Sequence, residues 1–321
     1  NQNWYFKNNK KYFKIYKNIK NLAFGPNYHL CEKKLLTNNN KIFWTIFFGG
    51  SDNENYTLKV LKKISLIKNI KICVILLNSS KDNIRKIKDF IKKKNLKDII
   101  IKKNLENLKK IFIKTKYYIG SGGSTSWERI LYQIPSLIIA TTDDQKDLSY
   151  NLSKNNLQLN MHKSKITSSK IFEKIKELES KRYEITQNMK YLIDNFGLER
   201  LKLFINNKPK PKLGFRNVEK SDLGFLYFCV NQPDAISSRF NNYEIPLSEH
   251  VKWFYKMLKS KNTLMFIMQA NKIPVGFIRY DIINNYALID IYTDNNFRNT
   301  NISSIILNKT ITEIKRKKKY L

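Results

Sequence analysis

The stretch Tyr118-Ile-Gly-Ser-Gly-Gly-Ser-Thr-Ser-Trp-Glu-Arg129 (YIGSGGSTSWER) runs from an apolar strand end, through a glycine-rich turn, into a segment with helical spacing. Glycine lets backbone approach a ligand closely, and a helix start offers unpaired N–H groups and a positive dipole end. Gly122 and Gly123, followed by the hydroxyls of Ser124 and Thr125, therefore suit a diphosphate, with the helix expected to begin near Ser124. Glu128 is spaced one turn beyond Ser124, on the same face, where a carboxylate would accept hydrogen bonds from a ribose diol. The plainer reading makes these glycines tight turns, Ser124 a helix cap and Glu128 a surface charge. A second turn of the same kind, FFGGSD, places Gly49, Gly50, Ser51 and Asp52 after an earlier apolar run. Neither turn fits the six-residue dinucleotide fingerprint or the Gly-Lys-Ser phosphate loop, which disfavours NAD and ATP.

Outward from these turns, apolar runs at Ile42–Phe48, Lys71–Leu77, Asp98–Ile101, Tyr117–Gly120 and Ser136–Ala140 alternate with helical patterns. The patterns fall at Tyr56–Ile67, Asn83–Lys93, Leu105–Thr115 and Thr125–Tyr132. Four strand-then-helix units predict an α/β domain with a parallel sheet. Helices at Ser168–Ser180 and Tyr183–Asn195 are expected to close it. The polar, proline-bearing Asn206–Lys212 reads as a linker. Beyond it, Leu264–Gln269, Val275–Asp281 and Ala287–Thr293 predict an antiparallel meander, with a helix over Leu247–Lys259. Phe225–Val230 fits a strand, although a helix over Ser221–Cys229 competes for the same residues. The expected organisation is thus residues 1–40 as an interdomain segment, 41–205 as a parallel-sheet domain, 206–212 as linker, and 213–321 as an α+β domain.

Composition bounds the function. The chain has 321 residues and a formal charge of +34, carried by 51 Lys and 9 Arg beside 39 Asn. Lys, Asn and Ile share A/T-rich codons, and the lysines are scattered rather than gathered beside aromatics. Arginine, the usual partner of phosphates and base edges, is scarce. No nucleic-acid partner is therefore expected. Nor is membrane insertion, since no uncharged apolar run reaches spanning length. Cys31, Cys73 and Cys229 lack disulfide or metal spacing, so no metal is expected. Without a signal-peptide pattern or an initiator Met, the sequence reads as an excerpt of a longer, cytoplasmic chain.

In order, GGSD, IGSGGSTSWE, DDQ (Asp143–Gln145) and DNFGLER (Asp194–Arg200) resemble the carboxyl-terminal half of bacterial UDP-sugar hydrolases of pseudaminic acid synthesis. These enzymes cleave UDP from a 2,4-diacetamido-2,4,6-trideoxy-altrose and share the GT-B fold. NLAFGPNYHL (Asn21–Leu30) is similar to their interdomain segment. The resemblance implies that Gly122–Thr125 hold the diphosphate, Glu128 the ribose, and that Gln145 lies near the sugar. It also implies that the catalytic His belongs to an amino-terminal half outside this sequence, so His29, His162 and His250 receive no catalytic role.

Leu213–Leu321 resembles the start of GNAT N-acetyltransferases. The resemblance rests on Arg216 and Asp222, on the Ser248-Glu249-His250-x-x-Trp253-Phe254 helix, and on the PVGFIRYD and ALIDIYTD strands. It implies acetyl-CoA as co-substrate, with the pantetheine along Ile291, Tyr292 and Thr293. The pyrophosphate would lie at Arg298-Asn299-Thr300-Asn301 and the following Ile302 and Ser303. That family has Arg-Gly-x-Gly where this chain has two asparagines, which tolerate left-handed backbone but add bulk. The domain is expected to be incomplete at its carboxyl end. Together the resemblances imply a GT-B-type Rossmann-like domain followed by a GNAT-like domain. The implied enzyme acts on a UDP-linked amino sugar in nonulosonate synthesis, with UDP-sugar hydrolysis joined to N-acetylation. The alternatives are a GT-B glycosyltransferase and a non-catalytic nucleotide-binding remnant.

Overall fold

A computed structural model describes residues 23, 25–31, 40–50, 52–103, 105–205, 211–238, 242–284, 286–298 and 301–318. By packing, the chain divides into a unit over Lys34–Lys190 and a second built from Asn1–Lys33 together with Tyr191–Leu321.

The first unit is a parallel sheet of six strands: β1 (Phe43–Phe47), β2 (Lys71–Leu76), β3 (Ile99–Lys103), β4 (Thr115–Gly120), β5 (Ser136–Ile138) and β6 (Leu159–Asn160). Their order is β3-β2-β1-β4-β5-β6, all neighbours parallel. Ile46, Cys73, Val74, Ile75 and Ile119 are buried, consistent with a sheet covered on both faces. The helices between and after the strands are α1 (Tyr56–Ile64), α2 (Lys81–Lys93), α3 (Lys109–Phe112), α4 (Ser126–Leu131), α5 (Asp144–Lys154), α6 (Ser168–Ser180) and α7 (Arg182–Met189). Asn55, Ser80 and Thr167 cap α1, α2 and α6 with side-chain acceptors. α7 is shorter than its pattern suggests, because Lys190 turns extended and Tyr191 adopts a left-handed φ of 63°. The strand order reverses between β1 and β4, which makes their carboxyl ends the place where an open sheet of this kind leaves a crevice.

The second unit is an antiparallel sheet in the order β10-β9-β8-β7, from β7 (Leu213–Asn217), β8 (Thr263–Ala270), β9 (Ile273–Ile283) and β10 (Tyr286–Thr293). It carries α8 (Gly197–Ile205), α9 (Leu223–Val230), α10 (Pro233–Ser237), α11 (Leu247–Lys259) and α12 (Ile302–Lys318). Asn271 and Lys272 have φ of 52° and 66°, the double left-handed turn that joins tightly paired strands. Two expectations change here. Phe225–Val230 is helical: an all-apolar run has no period to distinguish strand from helix, and Leu223–Cys229 is buried on every side. β7 was not anticipated, because Leu-Gly-Phe-Arg-Asn carries little strand propensity of its own and is held by its ladder to β8.

Residues 191–205, expected to close the first domain, pack in the second unit instead. The reason is a buried polar joint. The Arg200 guanidinium pairs with the Asp194 carboxylate and donates to the carbonyls of Asn27 at 2.7 Å and Pro274 at 2.8 Å. His29 Nε2 donates to the Asp194 carbonyl at 2.9 Å. Gly197 passes so close to this segment that a Cβ would lie 2.5 Å from the His29 carbonyl. Asp194–Arg200 and Asn27–His29, both read as hydrolase-like motifs, are thus neighbours inside the second unit. The expected linker falls almost entirely outside the described residues, as only Pro211 and Lys212 belong to them.

Candidate functional site

The register of β1 with β4 sets Phe47 opposite Gly120, so the two glycine turns leave the sheet side by side. Their contact is close. A Cβ on Gly120 would lie 1.8 Å from the Phe47 carbonyl, and one on Gly49 would lie 3.6 Å from Ser121 Oγ. Gly49 has a φ of 87°, a conformation that favours glycine. Beneath the turns the Tyr118 hydroxyl donates to the Phe47 carbonyl at 2.8 Å and approaches that of Ser121 at 3.3 Å. Gly122 is pressed against α5, where a Cβ would meet Ser149 Oγ at 2.3 Å. Gly123 differs, since a Cβ there meets nothing within 4 Å. Its open face leaves the space a ligand would fill.

Several expected residues take other places. The helix begins at Ser126, and Thr125 stands at its cap without a side-chain capping hydrogen bond. Ser124 is exposed in the preceding turn, so it shares no helix face with Glu128. Ser126, not Ser124, closes the turn by donating to the Gly123 carbonyl at 2.8 Å. α4 has only 6 residues, too short for the strong dipole the sequence suggested. Burial raises the Glu128 carboxyl, against the pull of Lys109 and Arg129. Asp52 caps α1, accepting from the Tyr56 and Thr57 amides at 2.8 and 3.0 Å. Gly50 passes 3.7 Å, at its virtual Cβ, from Asn78 Nδ2, while Ser51 lies outside the described residues.

Gln145 meets the turn: its Oε1 accepts from the Thr141 amide at 3.1 Å and, more loosely, from Gly122 at 3.4 Å. Beside it opens a cleft of about 320 Å³, with Ile138, Ala140 and Met161 as apolar lining and Ser149, His162 and Lys163 among its polar groups. Ser149 Oγ is buried without a hydrogen-bond partner among the described residues. Neither Ser149 nor Arg129 stood out in the sequence. Arg129 could have been noticed as an arginine in a chain whose cations are mostly lysine.

In the second unit, β10 is an edge strand. Ile291 is exposed, whereas Tyr292 and Thr293 are buried. Thr293 Oγ1 lies 2.6 Å from Ser303 Oγ, a hydrogen bond that joins the end of β10 to the start of α12. Arg298 donates to the Thr293 carbonyl at 3.1 Å and pairs with Asp234. Its guanidinium therefore braces the loop. Asn299 and Thr300 lie outside the described residues, and Asn301, just before Ile302, has a left-handed φ of 57°. Arg216 and Asp222 form a two-pronged ion pair at 2.6 and 2.7 Å, which anchors the turn into α9. His250 is buried among Tyr227, Trp253 and Phe254, and burial pushes its imidazole down to about 4. Among the described residues no group of His, Cys, Asp and Glu could hold a metal ion, and no helix is long and apolar enough to cross a membrane.

No protein-family model matches the chain, and no curated protein sequence matches it. Solved structures are similar to parts of it. The spinosyn rhamnosyltransferase SpnG complexed with thymidine diphosphate is 13% identical, with a TM-score of 0.40, over 54% of this chain and 46% of that one. The chain thus spans under half the length of that enzyme. An N-acetyltransferase from Staphylococcus aureus Mu50 is 23% identical, with a TM-score of 0.29, over 33% of this chain and 68% of that one. A spermidine N-acetyltransferase from Vibrio cholerae, in complex with CoA and spermine, is 20% identical, with a TM-score of 0.28, over 31% and 62%. What the chain itself displays is a Rossmann-like parallel-sheet unit and an α+β unit with a four-stranded antiparallel sheet.

Proposed function

We propose that the parallel-sheet unit binds the UDP of a UDP-linked amino sugar and that the second unit binds acetyl-CoA. The chain would belong to an enzyme that joins UDP-sugar hydrolysis to N-acetylation in nonulosonate synthesis. The observation that carries the first half is the pairing of the Gly49–Gly50 and Gly120–Gly123 turns at the reversal point of the sheet, with Gly123 open. In this reading the diphosphate rests on the Gly122–Thr125 backbone, the half-buried Glu128 takes the ribose diol, and Gln145 with the adjoining cleft faces the sugar. The site would stabilise the charge that develops on UDP as water attacks the anomeric carbon.

For the second half, the support is the free edge of β10, whose backbone groups could pair with pantetheine. The left-handed Asn301 opens α12 where pyrophosphate would lie. A neutral sugar amine would attack the thioester carbonyl directly, forming the amide as the C–S bond breaks and CoA leaves as its thiol, with the amine's proton lost to a base or a water chain. Calorimetry with UDP, dTDP and ADP, and separately with CoA, tests both halves. Selective UDP binding and CoA binding support the reading, and an absence of UDP binding overturns its first half. UDP release that requires a sugar acceptor would make the first unit a glycosyltransferase.

A further inference from the structure

We propose that Arg129 is the buried counter-charge of this site, a positioning residue whose guanidinium balances the ligand's diphosphate from beneath the Gly120–Gly123 turn. This rests on the diphosphate reading above. Arg129 is 1% exposed. Its Nη2 donates to Ser126 Oγ at 2.9 Å, and Ser126 Oγ donates to the Gly123 carbonyl at 2.8 Å, so the charge sits two hydrogen bonds behind the turn. Nη1 and Nη2 both reach Gln158 Oε1 at 3.4 Å. The amide of Gln158 in turn donates to Asn160 in the wall of the cleft, at 2.9 Å. The guanidinium lies 4.8 Å over the ring of Tyr118, whose hydroxyl ties the two turns together. Arg129 is thereby connected to both turns and to the cleft, and its Nε is buried with no partner among the described residues.

What Arg129 lacks is an anion. Among the described residues no carboxylate forms an ion pair with it. Glu128 acts on it from nearby without forming an ion pair, so the contacts of the guanidinium are Ser126, Gln158 and the Tyr118 ring. Burial pushes the Arg129 guanidinium down to about 10, still charged at neutral pH. A buried cation with only neutral partners is costly, and an apolar side chain of similar volume would serve packing better. The short α4 supplies little dipole for a phosphate. A diphosphate at the open face of Gly123 would offset this buried charge, and the low dielectric behind the turn would strengthen that attraction.

The test uses the full chain and measures binding of UDP, pyrophosphate and uridine, with the melting temperature of the free protein. Gln158→Glu keeps the arginine and gives it a carboxylate. Gln158→Leu removes the same amide bonds without adding charge. We expect Gln158→Glu and Arg129→Met each to weaken UDP and pyrophosphate by about tenfold or more, the scale of one charge-assisted contact, and to leave uridine nearly unchanged. Gln158→Leu should keep most of the UDP affinity. The free Arg129→Met protein should melt no lower than the unaltered one. If Arg129→Met does not fold, Gln158→Glu against Gln158→Leu decides alone. Equal losses for uridine and UDP, or unaltered UDP affinity in Gln158→Glu, would overturn the proposal while leaving the UDP site standing. An unaltered protein that binds neither UDP nor pyrophosphate overturns both.

Discussion

Gly123 separates a binding defect from a folding defect. Its φ lies outside the left-handed region and there is open space where its Cβ would be, so Gly123→Val should leave the melting temperature essentially unchanged. The valine would occupy the ligand's approach, and UDP and pyrophosphate binding should both vanish in calorimetry. Gly120→Ala is the contrast, since its methyl would collide with the Phe47 carbonyl and the fold should suffer first. Glu128→Ala should weaken UDP without weakening pyrophosphate, because the ribose contact is lost while a carboxylate that acts on Arg129 goes with it. A charge-assisted bond of roughly 1.5–3 kcal/mol makes that about a ten- to hundredfold effect. Equal losses for the two ligands would remove Glu128 from the ribose. The glycines were legible because absence of a side chain is written directly in the sequence. The burial of Arg129 was not, because it depends on Tyr118 and Gln158, which come near it only when the strands assemble.

At the scale of elements, the alternation of short apolar runs with helical patterns revealed β1, β2, β4 and β5 because they are buried in the sheet, and the half-buried edge strand β3 through its Ile99–Ile101 run. β6, only Leu159–Asn160, and β7 owe their pairing to neighbours already in place, which no local pattern announces. The true start of α4 was hidden for a similar reason: Ser124, Thr125 and Ser126 are all credible caps, and the contact of Gly122 with Ser149 on α5 accompanies the displacement of the start to Ser126. The start of α12 gives a prediction. Asn301 holds a left-handed φ of 57°, which costs a β-branched residue about 1–2 kcal/mol. Asn301→Val should lower the stability of the second unit by about that amount, whereas Asn301→Gly should be nearly neutral. Denaturant titration followed by the Trp253 fluorescence in that unit reads the difference. Equal destabilisation by glycine and valine would mean that the asparagine side chain, not the backbone angle, holds the turn.

Across the whole molecule, two compact units with separate cores predict two unfolding transitions, each answering to its own chemistry. Saturating UDP, at about a hundred times its dissociation constant, should add about 2.7 kcal/mol to the transition of the parallel-sheet unit and leave the other in place. The second transition should answer instead to the joint of Asp194 with Arg200. Burial alone would raise the Asp194 carboxyl, but the Arg200 guanidinium and the His29 hydrogen bond outweigh it and hold it well below the usual carboxylate range. A depressed carboxyl contributes stability at pH values above its unfolded value, about 3.9, and loses that contribution as the pH falls toward its folded value. Asp294, raised chiefly by burial, works in the opposite direction, so the pH profile of the unaltered protein mixes the two. Asp194→Asn isolates the first. At neutral pH it leaves Arg200 buried and unpaired, which should cost about 3–5 kcal/mol in the second transition only. The gap between Asp194→Asn and the unaltered protein should then narrow as the pH is lowered below about 4. A gap that stays constant down to pH 2, or a UDP shift that moves both transitions together, would contradict the assignment of that joint to the second unit alone.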